Sequence, residues 1–443
     1  MIPWSERFRA TISGWQQNIY KLALGGNWIL SEPVVVQRNL GNFWLDGMFA
    51  NASDAILVTY LTLYILALGA SEQQIGILSA LASLSATLLL LPGAVLVERI
   101  GLRKWITVAS GGVTSRLMIL LAVLAPFVFK GHILVYVVIG LEVVRQAFGN
   151  LALPAWISLT GDLIPMAWRG TYFGSRNIAM SIASIIVTIF TGQLITQTSS
   201  PFGYQLALGL AFIFGIVSTF FFSRIHEKPL APSVMASQPI FSLDFFKPLV
   251  QNRQLLIFCL VAAGWNFALN ISGPFFGVYQ AKNLMLTPAI IGVLSTVSSF
   301  AGLPAQKIMG PLADRLGPYR VQMIMGLIIP LLPLSWYFVT NPAWAPWQIT
   351  LINITGGFLW AGFSLASFNL LLILAPAEQR ARISAIYQII VSVSLALGAM
   401  VGGFAVSHWG FRTIFLLSAV GRWAAAIAFA KFVKSPSSPT YKD

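Results

Sequence analysis

Long apolar runs separated by short polar turns fill the chain from about residue 43 to residue 433. Each run has the roughly 20 residues that a helix needs to cross a hydrocarbon core of about 30 Å. In lipid every backbone polar group must be paired within its segment, so runs of this length indicate helices. The pattern predicts an all-α integral membrane protein with twelve spans, at residues 43–67, 73–97, 105–128, 133–157, 171–196, 204–223, 255–280, 288–309, 321–340, 347–374, 383–407 and 412–433.

The chain repeats part of its sequence at about half its length. A shift of 216 residues relates Ile75, Gly76, Leu78, Ser79 and Ser83 to Ile291, Gly292, Leu294, Ser295 and Ser299. A second match, with a shift of 211 residues, relates residues 165–169 to residues 376–380. Repeats that run in the same orientation indicate two parallel halves of six helices each.

Polar stretches at both ends and in the middle of the chain define the remaining segments. Residues 1–42 have Trp4, Phe8 and Trp15 at helical spacing, which is typical of a helix in the membrane interface. A partly disordered leader is the alternative, because Gly25 interrupts the pattern. The predicted division is a cytoplasmic N-terminal amphipathic segment (1–42), a first half (43–223), a cytoplasmic linker (224–254), a second half (255–433) and a cytoplasmic tail (434–443).

A polar turn with the sequence Gly-Pro-Leu-Ala-Asp-Arg-Leu-Gly lies between two apolar runs at residues 310–317. A weaker copy, Ala-Val-Leu-Val-Glu-Arg-Ile-Gly, occupies residues 94–101. The glycine that ends each copy, Gly317 or Gly101, suits a backbone that turns at positive φ. The repeated turn resembles the loop signature of the major facilitator superfamily, and this resemblance implies the family's fold and secondary transport. It also implies a gating loop formed by Glu98, Arg99, Gly101, Gly310, Asp314, Arg315 and Gly317. The first copy departs from the family pattern at Ala94, Glu98 and Leu102.

Composition narrows the classes of protein that fit. Apolar residues make up 57% of the chain and charged residues 9%, and the net charge is +14. The basic residues are scattered singly rather than in patches, so we expect no nucleic-acid partner. They concentrate in one set of turns, which predicts cytoplasmic termini and a multi-pass protein of the plasma membrane. One cysteine and three histidines show no metal-ligand spacing, so we expect no metal and no cofactor.

Charged residues inside the predicted spans are the candidates for chemistry, because they are costly in lipid. They are Asp46, Asp54, Arg116, Glu142, Arg145, Arg176 and Arg422. We take Asp54, Glu142, Arg116 and Arg145 as proton-coupling candidates, since they lie near mid-membrane by residue count. The alternative is that Glu142 only pairs with Arg145, three residues away, and Asp54 only with Arg116. The family resemblance implies a buried carboxylate that carries the driving proton, and Asp54 is our candidate. Asp46 lies one turn from the predicted start of its span, and we expect it to be solvated.

The seventh and tenth spans carry aromatic and amide side chains but no acid. The substrate-cavity candidates are Trp265, Asn266, Asn270, Asn353, Trp360 and Asn369. Aromatic rings with neutral hydrogen-bonding groups are typical of a small-molecule pocket. The alternative for each residue is that it only holds neighbouring helices together.

These features favour a secondary active transporter that moves a small organic solute by alternating access, coupled to a proton or another ion. We expect a monomer in the lipid bilayer. No Gly-x4-Gly-Lys-Ser/Thr loop is present, so nothing indicates direct use of a nucleotide. Two alternatives remain, a membrane-embedded enzyme and a transport-inactive scaffold or receptor. Uptake of a solute into proteoliposomes distinguishes the three classes.

Overall fold

A computed structural model describes residues 26–227, 247, 249–375 and 380–434. The predicted amphipathic positions up to Gly25 and most of the predicted linker lie outside these ranges. Within them the secondary structure is helical, and no strand occurs. A short 3₁₀ helix, Asn27–Ser31, precedes the first long helix.

The first half contains six long helices. They are α1 (Val34–Ala67), α2 (Glu72–Ile100), α3 (Arg103–Val128), α4 (Gly131–Leu163), α5 (Arg169–Gln197) and α6 (Phe202–Ser223). Helix α1 begins at Val34, well before residue 43, where the first span was expected to start. Helix α2 begins with a capping box, in which the Ser71 hydroxyl and the Gln74 side chain satisfy each other's backbone N–H groups.

The second half repeats this arrangement. Its helices are α7 (Arg253–Lys282), α8 (Pro288–Leu316), α9 (Pro318–Phe338), α10 (Ala345–Leu374), α11 (residues 380–409) and α12 (residues 411–432). The last two form one element, Arg380–Phe432, that is broken at Gly410, where φ is 78°. Ten elements of the described chain are long and apolar enough to cross a membrane. With this break and with α8, the predicted twelve-helix architecture is confirmed.

Both copies of the repeated turn contain the expected glycine geometry. Gly101 has φ 68° and ends α2, and Gly317 has φ 79° and precedes α9. The side chains of Glu98, Arg99 and Arg315 are exposed, whereas the Asp314 side chain lies outside the described ones. Both glycines therefore have positive φ, but ψ is −3° at Gly101 and 150° at Gly317, so the backbone leaves the two copies in different directions. The predicted role of the turn in gating stays a prediction.

The two halves meet at the end of the bundle that carries Glu72 and Lys282, which we call the far end. The opposite end, which carries Gly101 and Gly317, is the linker end. Lys282 Nζ lies 2.7 Å from Glu72 Oε1 across the halves. The Ala289 N–H of α8 donates to Thr196 Oγ1 at the end of α5, at 3.0 Å. The far end is thus closed by polar contacts between halves.

Close backbone approach at two seams supports this closure. A Cβ atom at Gly76 of α2 would lie 2.7 Å from the Ala399 oxygen of α11. Gly292 stands at the repeat position of Gly76, and its Cβ would lie 3.1 Å from the Thr188 oxygen of α5. Only glycine allows helices to approach so closely. Gly76 and Gly292, which are equivalent in the repeat, therefore allow the close contacts of the α2–α11 seam and the α5–α8 seam.

Candidate functional site

The first half encloses a chamber of about 360 Å³ between α1, α3, α4, α5 and α6. We call it the first-half chamber. Its lining includes five ionisable side chains, Asp46, Asp54, Arg116, Arg145 and Arg176. Ionisable groups in a transmembrane bundle mark solute or ion pathways by default. This chamber is therefore the candidate functional site.

Asp54 and Arg116 form an ion pair in the chamber. Arg116 Nη1 lies 3.2 Å from Asp54 Oδ1, and it also donates to Ser53 Oγ at 3.3 Å. The Asp54 side chain is 53% exposed, whereas that of Arg116 is 9% exposed. The Arg116 side chain packs on Gly215 of α6, where a Cβ would lie 2.5 Å from Arg116 Cδ. The pair presents an accessible acid in front of a buried base.

Asp46 is buried, so the expectation that it is solvated is wrong. It is 6% exposed, and the Ser218 hydroxyl donates to its Oδ1 at 2.7 Å. Arg176 Nη2 lies 3.9 Å from Asp46 Oδ2. Because α1 begins at Val34, Asp46 lies about three turns inside the helix rather than one. Residue counting from the apolar run placed it too near the membrane surface.

Arg176 is held tightly at the wall of the chamber. Its Nε donates to the Phe43 oxygen at 3.2 Å, and its guanidinium lies 4.3 Å from the centroid of the Phe43 ring. A methyl group at Gly47 would overlap this guanidinium. The absence of a side chain at Gly47 therefore makes room for the arginine. Sequence reasoning noted Arg176 as a charge but missed its glycine neighbour, which directly follows Asp46 in the chain.

Glu142 and Arg145 pair through two hydrogen bonds on α4. Arg145 Nε and Nη2 lie 2.6 and 2.7 Å from the two Glu142 oxygens, and Gln146 Nε2 donates to the same carboxylate at 2.8 Å. All three residues line a second cavity of about 230 Å³, which Pro274 of α7 completes from the other half. Arg145 lines this central cavity and the first-half chamber alike. It therefore stands between the two spaces.

Helix α3 contains an irregular segment that sequence reasoning missed. Residues Thr107–Thr114 form a π-helix, and Gly111 and Gly112 within it line the first-half chamber. A Cβ at Gly112 would lie 2.6 Å from Thr219 Cγ2. π-helical turns are rare and occur often at functional sites. The glycine pair was the available signal in the sequence.

The second-half candidates are not gathered around one large cavity. Trp265 stacks on Phe363 with ring centroids 4.7 Å apart. The Trp360 ring lies edge-on to the Trp265 ring, with centroids 6.4 Å apart. Trp265 lines a void of only about 30 Å³, together with Gln322. The Trp360 and Asn369 side chains are partly buried.

Two of the amide candidates, Asn270 and Asn353, hold helices together in this conformation. Asn270 donates to the Leu395 oxygen of α11 at 2.8 Å, and Asn353 donates to the Leu294 oxygen of α8 at 2.7 Å. Asn266 donates to the Ala262 oxygen of its own helix at 2.8 Å. Their predicted contact with substrate stays a prediction.

A charged cluster at the linker end was not expected from the sequence. Arg103 is buried and lies 2.5 Å from Asp162 and 3.0 Å from Glu227. The Glu227 carboxylate also accepts the backbone N–H groups of Arg103 and Lys104. These contacts tie the start of α3 to the end of α4 and to the first residues after α6. In the described part of the chain, no group of three or more His, Cys, Asp or Glu side chains is arranged to hold a metal ion.

A bundle of twelve apolar helices, in two repeated halves around chambers with ionisable walls, defines the class of polytopic membrane transporters. The family model described as Major Facilitator Superfamily matches residues 43–280 and again residues 256–443. The chain therefore belongs to the major facilitator superfamily, and it is a membrane transporter.

Curated relatives of the chain are transporters rather than enzymes. The chain is 21% identical over 388 residues to the multi-drug resistance efflux pump PmrA of Streptococcus pneumoniae, covering 85% of this chain and 91% of the pump. It is 25% identical over 410 residues to the multidrug resistance protein MdtG of Dickeya zeae, covering 88% of this chain and 93% of that protein.

Solved structures of similar fold include two bacterial transporters. The nucleoside transporter NupG superposes with a TM-score of 0.68 at 15% identity, covering 90% of this chain and 99% of NupG. A bacterial homologue of the iron transporter ferroportin, in its inward-facing state, gives a TM-score of 0.69 at 13% identity, covering 91% of this chain and all of that one. At these identities the likeness concerns the fold alone.

Proposed function

We propose that the protein is a proton-coupled secondary active transporter of a small organic solute, and that Asp54 carries the coupling proton. The observation behind this proposal is the accessible Asp54 carboxylate in front of the buried Arg116. Solvent reaches this carboxylate, and its charge acts directly on the buried arginine beside it. The division of the chain at residues 223 and 254, into two halves and a linker, belongs to the same proposal.

Protonation of Asp54 changes what Arg116 can do. While Asp54 is ionised, its charge balances the buried Arg116 guanidinium. A proton on Asp54 leaves Arg116 without that partner, which costs several kcal/mol unless water or a solute compensates. Binding of the proton and binding of the solute are thereby linked, and each changes the affinity for the other. Arg145, between the chamber and the central cavity, transmits the change to Glu142.

We propose that the linker end faces the cytoplasm of a plasma-membrane protein. The basic turns, including Arg103 and Arg169, fall at this end, as the positive-inside rule requires for a cytoplasmic face. Because the far end is closed, this conformation is then inward-facing. We also propose that the protein acts as a monomer. The names of the curated relatives favour export of an organic compound as the direction of transport.

The test compares two modes of transport in proteoliposomes, with ethidium as a fluorescent organic probe. Asp54→Asn is expected to abolish accumulation driven by a pH gradient while exchange at equal pH on both sides continues. Glu142→Gln is expected mainly to lower the thermal stability, because both Glu142 oxygens are occupied by neighbours. Full pH-driven transport by Asp54→Asn removes Asp54 as the carrier. Loss of both modes assigns it to substrate binding instead.

A further inference from the structure

Helix α7 is broken inside the membrane. A regular segment, Arg253–Ser272, is followed by a 3₁₀ turn, Gly273–Phe275, and a short helix, Phe276–Lys282. Pro274 in the turn has no N–H group, so the carbonyl four residues earlier has no helical donor. The geometry of this bend decides where the short helix points.

The bend and the short helix after it contact two parts of the transporter. Pro274 lines the central cavity beside Glu142 and Arg145. Lys282, at the end of the short helix, reaches Glu72 of the other half at 2.7 Å. The bend therefore connects the central cavity to the contact that closes the far end.

Arg422 of α12 lies directly against the broken end of α7. It is 2% exposed. Its Nη2 donates to Ser272 Oγ at 3.2 Å and more weakly to the Leu269 oxygen at 3.4 Å. Ser272 is the last residue of the regular segment, and Leu269 belongs to its last turn. The guanidinium thus lies against the C-terminal turn of the regular segment, where the Leu269 oxygen also accepts the Gly273 N–H, and a positive charge is favourable at such a turn.

Arg422 differs from the arginines of the first half in what balances its charge. Arg116, Arg145 and Arg176 each lie within 4.0 Å of a carboxylate. Within the described residues, no ion pair is found for Arg422, and its buried Nε has no hydrogen-bond partner. A buried charge without an acid needs oriented dipoles, and the last turn of the Arg253–Ser272 segment supplies them.

A small network fixes α12 at this point. The Ser272 hydroxyl donates to Ser418 Oγ at 3.0 Å, and the Ser418 hydroxyl donates to the Ala268 oxygen at 2.7 Å. Both serines are fully buried. Gly421, next to Arg422, lets α12 approach, since a Cβ there would lie 2.8 Å from Ala268 Cβ. The arginine is therefore placed on the end of α7 by the packing of its own helix.

We propose that Arg422 is a positioning residue whose positive charge stabilises the bend of α7 and so favours the closed far end. It touches neither cavity and acts through Pro274 and Lys282. The inference rests on alternating access, which is part of the proposed function, but it does not depend on proton transfer at Asp54.

The test measures closure of the far end without any substrate. In a Cys259→Ala background, Gln73→Cys and Ser407→Cys are joined by a bifunctional thiol reagent in nanodiscs, because these side chains lie 3.1 Å apart across the halves and leave Glu72 and Lys282 in place. The initial rate of cross-linking reports the closed population. Arg422→Lys keeps the charge at the helix end and is expected to cross-link within about twofold of the parent. Arg422→Gln keeps a hydrogen-bond donor without the charge, and is expected to cross-link about tenfold more slowly. Arg412→Gln, on the same helix near the far end, is the matched control and is expected to leave the rate unchanged.

Three results overturn the inference. The first is an unchanged cross-linking rate in Arg422→Gln. The second is a loss in Arg422→Lys as large as that in Arg422→Gln, because this assigns the effect to guanidinium geometry rather than to charge. The third is equal slowing by Arg412→Gln. If Arg422→Gln does not fold, Arg422→Met supplies the uncharged variant, and an unchanged cross-linking rate in Arg422→Met overturns the inference in the same way. Because the assay uses neither substrate nor proton gradient, its failure is separate from a failure of Asp54 to couple transport.

Discussion

The two halves have related cavities with opposite chemistry. The shift of 216 residues relates Asp46 of α1 to Ala262 of α7, and the shift of 211 residues relates Arg176 of α5 to Tyr387 of α11. Asp46 and Arg176 line the first-half chamber, while Ala262 and Tyr387 line the small void of the second half. A charged pair in one half thus corresponds to a methyl group and a phenol in the other.

This difference explains why the cavities differ in size. Buried charges must keep hydrogen-bond partners or water, so the first-half chamber stays open at about 360 Å³. In the second half the Trp265 and Phe363 rings stack with centroids 4.7 Å apart, and the void that both residues line is only about 30 Å³. The duplicated fold supplies the position of a cavity, and the side chains decide whether it remains open. The residues proposed to couple transport to protons therefore all lie in the first half, opposite a second half whose corresponding space is filled by apolar rings.

The largest effect is expected when a side chain fills the space that Arg176 occupies, because this removes the charged pair that distinguishes the first half. In Gly47→Ala the new methyl group overlaps the guanidinium, so Arg176 must leave Phe43 and Asp46. The second half already has Ala263 at the repeat position of Gly47. We expect the free energy of unfolding in mixed micelles to fall by about 3 kcal/mol, from overpacking and lost hydrogen bonds to a charged group.

Gly149→Ala is the matched control, because Gly149 lines the same chamber and a Cβ there meets no atom within 4 Å. The control is expected to change the free energy of unfolding by less than about 1 kcal/mol. Equal stability of Gly47→Ala and the control would mean that Arg176 has another position of similar energy.

A smaller effect is expected when Arg116 is displaced. In Gly215→Ala the new Cβ lies 2.5 Å from Arg116 Cδ and 2.7 Å from its Nε. Because the overlap is with a flexible side chain, we expect a loss of about 2 kcal/mol in the free energy of unfolding. The displaced arginine no longer balances Asp54, so transport should lose its dependence on the pH gradient, as in Asp54→Asn. Gly209→Ala, on the same helix with open space at its Cβ, is the control. Normal pH-driven transport by Gly215→Ala would separate coupling from this ion pair.

Sequence patterns predicted the architecture and the ion pairs for clear physical reasons. The requirement to pair the backbone in lipid makes apolar runs read as helices, and glycine at Gly101 and Gly317 marks a backbone with positive φ. Residue count put Asp54 and Arg116 at a similar depth, and spacing on one helix put Glu142 within reach of Arg145; at the level of sequence, the two ion pairs were the alternative weighed against a coupling role. Each of these follows from local geometry and the thickness of the membrane.

The remaining features depend on packing between distant segments. Burial of Asp46 follows from the early start of α1 and from Ser218, which lies 172 residues away along the chain. The sequence does not reveal that Asn270 and Asn353 bind carbonyl groups of neighbouring helices, because an amide can equally face a cavity. Glycines next to arginines are a usable signal only when the facing helix is known.

The α5–α8 seam provides a third test. The Tyr60 hydroxyl donates to the Thr188 oxygen at 2.7 Å and lies between Gly192 and Gly292. Phe276 stands at the repeat position of Tyr60 and has no hydroxyl. Tyr60→Phe therefore makes the two halves alike, and we expect a loss of about 1 kcal/mol in the free energy of unfolding and slower cross-linking at the far end. Tyr136→Phe, at an exposed position of α4, is the control. Unchanged stability would show that water replaces the hydroxyl without loss.

The smallest effect is expected at the ion pair between Glu72 and Lys282, which occurs at one seam only. Their repeat positions are Pro288 and Leu66, so the other seam has no equivalent. The side chains are 21% and 38% exposed, and exposed pairs contribute about 0.2 to 1 kcal/mol. Neutralising the acid in Glu72→Gln should therefore slow closure of the far end by about twofold at low salt.

This effect is expected to vanish near 1 M salt, where the Debye length is about 3 Å. Closure is followed by cross-linking Gln73→Cys to Ser407→Cys, a pair that also lies across the halves, with side chains 3.1 Å apart in the native protein. Lys282→Met and the double variant complete a cycle that isolates the energy of the pair from other effects of each change. A coupling well above 1 kcal/mol, or one that survives high salt, would mean that the pair is shielded from solvent when the far end closes. In that case the ion pair that only the α2 side possesses would make a main contribution to the free energy of closure, instead of a minor one.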